Sequence, residues 1–332
     1  EQRTEGWVAA LQLAALAIQA PRSAQGGEGE AGFMDAFLSA FSGSHHYVAD
    51  YLSAEVLNRQ PEQVRTFLLQ TSILDRMTAE LCDRLTGSSD GQATLRQLDQ
   101  ANLFLVPLDE QRRWYRYHHL FAELLRSQLR EAAPDRLPDL HRRAAGWYEQ
   151  HGFASEAIRH ALAAGDQQQA ARIVEGNAMA ALMRGDSITV LNWIASVASL
   201  VPERPWLGIY QSWALIITGQ IEQVESLLQG AERRIASDVS AGEGQELGFH
   251  VAAIRALVAG RRGESQQAIG LARRALERLP ASESAIRSVV LLTLADASWA
   301  TGDLAGAMQA FQEVARMGTG AGNFVPATGA LS

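Results

Sequence analysis

The sequence contains no lysine: all 29 basic residues among its 332 are arginine. A P-loop lysine, a Schiff-base lysine and a lysine general base are therefore excluded within this stretch. Cysteine is nearly absent too. The single Cys82 permits no internal disulfide and no cysteine-cluster zinc site, which fits a reducing cytoplasm. There is no run of about 18 apolar residues and no basic stretch ahead of an apolar one, so neither a membrane span nor a signal peptide is expected. Positive charge is in deficit as well. The 37 acidic residues leave a net charge of −8, the wrong sign for a nucleic-acid surface. What remains is a chain that is 47% hydrophobic, long enough for two or three domains with real cores.

Thr4–Ile18 has the spacing of an amphipathic helix, already running at the start of a sequence without an initiator methionine. The chain therefore reads as an internal piece of a longer protein. The following loop holds a G-x-G-x-x-G at Gly27, Gly29 and Gly32. A dinucleotide site needs a strand before that motif, and here a helix precedes it, so the loop reads as a linker. From Pro61 the texture changes to three short helices, Pro61–Leu69, Thr78–Leu85 and Gly91–Ala101. Leu103–Leu108 and Trp114–Tyr117 are strand-like runs around the polar turn Asp109–Arg112, which predicts a β-hairpin. A further helix opens at His118 or His119. Three helices followed by a hairpin predict a winged helix.

After Pro134 the pattern is one of helix pairs. Ala256, Ala268, Ala272, Ala275 and Pro280 lie at the intervals of the small residues in a tetratricopeptide repeat. Ala295, Ala307, Phe311 and Val314 repeat the pattern 39 residues later, and Ala214 with Gly219 is a looser copy 42 residues earlier. Glycine-led turns at Gly165-Asp166, Gly185-Asp186 and Gly302-Asp303 punctuate the array. The expected fold is mainly α: a winged helix, then a TPR-like superhelical repeat array.

No catalytic constellation is present. His45-His46 and His118-His119 are adjacent pairs, which on a helix point about 100° apart and cannot form an H-E-x-x-H site. No metal site is expected. No serine sits in a G-x-S-x-G elbow, Cys82 falls on an apolar helix face, and Asp109-Glu110 lie in a turn. Between Pro61 and Asn102 four arginines face six acids, a net of −2, so DNA binding by the winged helix is disfavoured. His118 stands where the second strand meets a helix N-terminus, a place that attracts anions.

The run Tyr115-Arg116-Tyr117-His118-His119-Leu120-Phe121-Ala122-Glu123-Leu124-Leu125-Arg126 resembles the MalT-like, LuxR-type large ATP-binding transcriptional activators, a branch of the STAND signal-transduction ATPases. Asp50-Tyr51-Leu52, Phe67-Leu68-Leu69 and Ala101-Asn102-Leu103-Phe104-Leu105 point the same way, as does Thr4-Glu5-Gly6-Trp7 with Leu11-Gln12-Leu13. The resemblance implies an order of P-loop ATPase, helical segment, winged helix, repeat sensor and C-terminal helix-turn-helix. On that frame 1–32 is the end of the ATPase-associated helical segment with its loop. Residues 33–60 are a helical connector, 61–131 the winged helix and 132–332 the repeat sensor. It implies ATP or ADP as cofactor of the whole protein, with His118 and Arg116 near the phosphates. Gln12 stands where related ATPases carry a proline near the adenine. It further implies self-association on activation, ATPase and LuxR-type DNA-binding domains elsewhere in the same chain, and a cytoplasmic location.

The piece itself is then a regulatory and inducer-sensing segment without catalysis, membrane contact or direct DNA binding. Its partner on the array is a small-molecule inducer or a regulatory protein. For a small molecule, Trp206, Tyr210, Trp213 and Trp299 are the candidate binding aromatics. The alternative is a scaffold that binds protein partners and no small inducer.

Overall fold

The computed structural model describes residues 52–101, 103–238 and 240–318. Gln12, the helix read at Thr4–Ile18 and the Gly27-Gly29-Gly32 loop lie outside them. The chain divides into two compact units, Glu1–Gly165 and Asp166–Ser332.

In the first unit a π-helical turn, Leu52–Leu57, precedes α1 (Glu62–Thr71), α2 (Ala79–Thr86) and α3 (Gly91–Gln100). Thr78 caps α2 by accepting from the Leu81 amide, and Gly87 closes it at φ +75°. Gly91 opens α3 at a point of close approach. Its amide donates to the Asp83 carboxylate at 2.7 Å, and a Cβ there would lie 2.7 Å from both that oxygen and the Ala79 carbonyl. No other residue fits.

The wing is β1 (Leu105–Pro107) paired antiparallel with β2 (Tyr115–Tyr117), Val106 opposite Arg116. Tyr115 and Tyr117 point into the core while Arg116 faces outward, the alternation a strand imposes. Met77 adds a third, single-residue rung, exchanging both backbone hydrogen bonds with Tyr115 at 2.8 and 2.9 Å. Helix α4 (His119–Ala132) then crosses back over α1. The core comprises Leu68, Leu74, Met77, Leu81, Leu85, Leu95, Leu98, Tyr115 and Phe121, each almost fully buried. Cys82 is buried among them, and desolvation pushes its thiol pKa up, so it is an inert apolar side chain. Thr71 donates to the Phe67 carbonyl and pairs at 2.7 Å with the Tyr117 hydroxyl, which therefore donates.

Helices α5 (Leu137–Gln150) and α6 (Ala154–Ala163) form a hairpin that packs as part of this first unit. Tyr148 donates its hydroxyl to the Arg76 carbonyl at 2.8 Å, and Arg143 reaches the Leu85 carbonyl. The Arg76 guanidinium lies 4.8 Å from the ring centres of both Trp114 and Phe153 and pairs with Glu156. Between α5 and α6, His141 and His160 share a hydrogen bond at 2.8 Å. Burial, then the neighbouring Arg159, pushes His160 down to about 3, so the pair is neutral.

The second unit is a row of helix hairpins: α7 (Gln167–Met183) with α8 (Ser187–Ser196), and α9 (Pro205–Ile217) with α10 (Val224–Asp238). The next pairs are α11 (Ala241–Arg261) with α12 (Ser265–Arg278), and α13 (Ser284–Ala300) with α14 (Leu304–Gly318). The first members of successive pairs, α7, α9, α11 and α13, pack on one another and make one layer. Ala256, Ala268, Ala272, Ala275 and Ala295 are buried to within 1%, the small side chains that let the helices of the array approach. Gly165, Gly185 and Gly302 take φ values of +77°, +89° and +83°. Asp166 then caps α7 through the Gln169 amide. Arg255 on α11 clasps Glu225 and Glu232 of α10, and Arg287 on α13 reaches the carbonyls of Leu276 in α12 and of Leu279 just past its end.

A Tyr117→Phe variant should lose about 1 kcal/mol in urea unfolding, the usual net value of one buried hydrogen bond. Phe121→Ala in the same core should lose about 3–5 kcal/mol. Unchanged stability in Tyr117→Phe would show that its hydroxyl adds nothing to the clamp on Thr71.

Candidate functional site

Two places draw together the residues singled out above. The first is the junction of β2 and α4. His118 is the residue before α4, with extended backbone (φ −57°, ψ 137°), and its amide donates to the Phe104 carbonyl at 2.7 Å. Phe104 itself is left-handed at φ 55°, a shape imposed where β1 begins. The imidazole stacks on His119 at 4.5 Å and is only 4% exposed. Arg116, two residues back, is half-buried on the outer side of the strand. The His118 side chain makes no capping hydrogen bond to α4.

The second place is on the layer formed by α7, α9 and α11. Trp206, Tyr210 and Trp213 recur at intervals of four and three along α9 and so share one face. Trp206 stacks on Tyr210 with centroids 5.5 Å apart, and its indole N–H donates to Glu243 at 3.2 Å. One α9 residue set lower, the Trp213 N–H donates to His250 Nδ1 at 3.0 Å. Trp206 also meets the His250 ring edge-on at 5.2 Å. Glu243 and His250 are seven apart on α11, as Trp206 and Trp213 are on α9, so the two hydrogen bonds are rungs between parallel helices.

The electrostatics are local and strong. His250 is 4% exposed, and burial pushes it down to about 4, which leaves it neutral and able to accept from Trp213. Tyr210 is pushed up to about 12 by burial, with Glu175 and Glu246 adding to the rise. Glu175 on α7 is itself raised by burial, against the pull of Arg204, its ion-pair partner at the start of α9. The outcome is a half-exposed aromatic platform bordered by carboxylates over a buried Trp–His hydrogen bond. It has no nucleophile–base pair and is suited to recognition rather than catalysis. Trp299, 66% exposed near the end of α13, takes no part in these contacts. Composition gave no signal for His250 or Glu243; their seven-residue spacing, matched to that of Trp206 and Trp213, was the available clue. Among the described residues no cluster of His, Cys, Asp or Glu is arranged to hold a metal, and no helix is long and apolar enough to cross a membrane.

Comparison with known proteins bears first on the winged helix. The family model of the MalT winged helix domain matches residues 53–137. The winged helix is of the MalT type. Over 318 residues, 94% of the chain, the sequence is 32% identical to the HTH-type transcriptional regulator MalT of Cronobacter sakazakii. It is 31% identical over the same length to that of Klebsiella pneumoniae. The chain spans about a third (33%) of each of these relatives. Among solved structures, a STAND protein with a tetratricopeptide repeat sensor from Pyrococcus horikoshii is similar with a TM-score of 0.52. That match has 14% identity and covers 82% of this chain and 46% of the other, a likeness of fold. The resemblance carried by Arg116-Tyr117-His118-x-Leu120-Phe121 therefore holds, and the similarity to the MalT regulators extends over 94% of the chain.

The neutral His250 predicts an acid-sensitive array. Its folded pKa lies below the unfolded value of about 6.5, so its contribution to stability is complete above that value and is lost as pH falls toward 4. Urea unfolding followed from pH 7 to pH 4.5 should show this loss, and His250→Asn, which keeps an acceptor but does not titrate, should reduce it. An equal loss in both proteins would remove His250 from the account.

Proposed function

We propose that the chain is the regulatory and inducer-sensing segment of an ATP-dependent, LuxR-type transcriptional activator of the MalT kind. In this reading ATPase and DNA-binding domains elsewhere in the protein bind ATP or ADP and the promoter. The winged helix couples nucleotide state to the repeat array, with His118 and Arg116 near the phosphates. Gln12 is placed near the adenine on the resemblance alone. The segment itself is not an enzyme and does not contact DNA or membrane; the whole protein is cytoplasmic and self-associates when activated.

The observation that carries the sensing role is the Trp206–Tyr210 platform over the Trp213–His250 hydrogen bond, with Glu243 and Glu175 at its border. A half-exposed stacked aromatic pair supplies a flat apolar face, and the carboxylates supply directional acceptors, the combination by which small polar molecules are recognised. The similarity to transcriptional regulators supports the regulatory role, and the MalT-type winged helix supports the coupling role.

One observation favours the scaffold reading as well. Leu304, Met308 and Phe311 on α14, together with Trp299, are exposed by 42% or more, an apolar surface of the kind that proteins cover.

A thermal-shift screen of the chain against sugars, amino acids, nucleotides and aromatic metabolites separates the two. A ligand of the folded state at 100 times its Kd adds about 2.7 kcal/mol of stability. The sensing reading expects a saturable shift that Trp206→Ala abolishes while the unliganded melting temperature moves little. A silent screen on folded protein would reject small-molecule sensing.

A further inference from the structure

A cavity of about 470 Å³ opens between α3 and the tip of the wing. Its helical wall carries Arg96, with Gln92 and Gln100 one turn to either side. Its other wall is formed by Arg112 and Arg113 of the wing tip. Between them lie the Asp99 carboxylate, 13% exposed, and Tyr115, 1% exposed. Burial, and Asp99 after it, raises the Tyr115 pKa, so its hydroxyl keeps its proton at neutral pH.

The tip is tied in place. Arg112 takes the left-handed φ of +52°, and the two Asp109 oxygens each accept at 2.9 Å, one from the Arg113 amide and one from the Trp114 amide. Arg112 is drawn onto Asp99. Among the described residues no ion pair engages Arg96 or Arg113. Asp75 is engaged by Arg126 and Arg159 and Asp83 by the Gly91 amide, while Asp109 lies close enough to Arg113 for its charge to help hold the Asp109 carboxyl down. The lining of the groove draws two of its three guanidiniums, those of Arg112 and Arg113, from beyond the Pro61–Asn102 stretch, and sets them with Arg96 around the single lining carboxylate of Asp99.

We propose that the groove binds a phosphate monoester of a small polyhydroxylated molecule. The phosphate sits at the rim between Arg96 and Arg113, whose planar forks match a dianion. The hydroxyls face Asp99, Tyr115 and the two glutamines, which supply both acceptors and donors. The volume falls within the range of about 300–1,000 Å³ for small-molecule sites, and the guanidinium, carboxylate and amide groups that line it favour a polar ligand. Asp99 on the floor disfavours bare inorganic phosphate, whose charge it repels, while it accepts from the hydroxyls that an ester places farther from the phosphate. Duplex DNA is disfavoured by the same carboxylate and by Asp90 at the start of α3. The site belongs wholly to the first unit and does not depend on inducer sensing by the array.

Isothermal titration of the whole chain at low ionic strength tests it, with glucose 6-phosphate and ribose 5-phosphate as probes. Glucose, inorganic phosphate, an acidic peptide and a short DNA duplex form the other arms. The expected result is saturable binding of an ester, at least tenfold tighter than inorganic phosphate and undetectable for glucose. The exposed-surface double variant Arg96→Gln, Arg113→Gln should weaken it at least tenfold with an unchanged circular dichroism spectrum. Asp99→Asn should narrow the gap between ester and phosphate. Equal affinity for ester and phosphate, unaltered binding in the double variant, no saturable heat, or a preference for the peptide or the duplex would each overturn the proposal.

Discussion

The Arg76 side chain is gripped by two aromatic rings and one carboxylate, and its own carbonyl receives the Tyr148 hydroxyl. Those four contacts come from three parts of the chain: the wing at Trp114, the end of α5 at Tyr148, and the start of α6 at Phe153 and Glu156. Each is modest. A cation over a ring is worth about 0.5–1 kcal/mol when partly exposed, and the half-exposed ion pair with Glu156 adds no more than about 1 kcal/mol. Their importance lies in convergence, because Met77, the next residue, completes the third rung beside the wing. The position of the wing and the position of the α5–α6 hairpin are thus set by two consecutive residues.

The array is organised on a different principle. Alanines allow close helix approach, and specificity comes from a few buried polar contacts that must be satisfied to be tolerated. The Trp213–His250 hydrogen bond is the clearest of them: it requires a neutral imidazole with Nδ1 as acceptor, and burial enforces that state. The Trp206–Glu243 bond two helical turns away repeats the geometry at a more exposed level. One face of α9 therefore runs from a dry, determined contact to a wet, adaptable one, which is the gradient a recognition surface needs.

Much of the fold was legible because it rests on local periodicity. The three helices at Pro61–Leu69, Thr78–Leu85 and Gly91–Ala101 stand within about two residues of α1, α2 and α3, and the hairpin closes around Asp109. The alanine spacings at 256, 268, 272 and 275 mark buried positions because only a small side chain fits a close helix crossing. What was not legible is non-local. Ser72–Arg76 reads as a plain connector, and nothing in it announces that Met77 will pair with Tyr115 some forty residues on. Likewise Leu137–Ala163 carries the same helix-pair pattern as the rest of the array, yet it packs as part of the first unit, with α5 against α2 of the winged helix. At the aromatic cluster, the α9 stripe was visible as spacing, whereas His250 and Glu243 became relevant only once α9 and α11 were aligned. The groove by the wing was hidden because its arginines come from two separate stretches, α3 and the wing tip, which only the fold brings together.

In the regulator proposed here the winged helix relays a signal, and a relay must move as one body with the helices it is tied to. Native-state hydrogen exchange across residues 62–163 measures this directly. The account predicts that the slowest amides of α1–α4, of β2 and of α5–α6 open with a common free energy, and that Arg76→Ala lowers all of them together. Separate opening of α5–α6 at a clearly lower free energy, unaffected by Arg76→Ala, would contradict it.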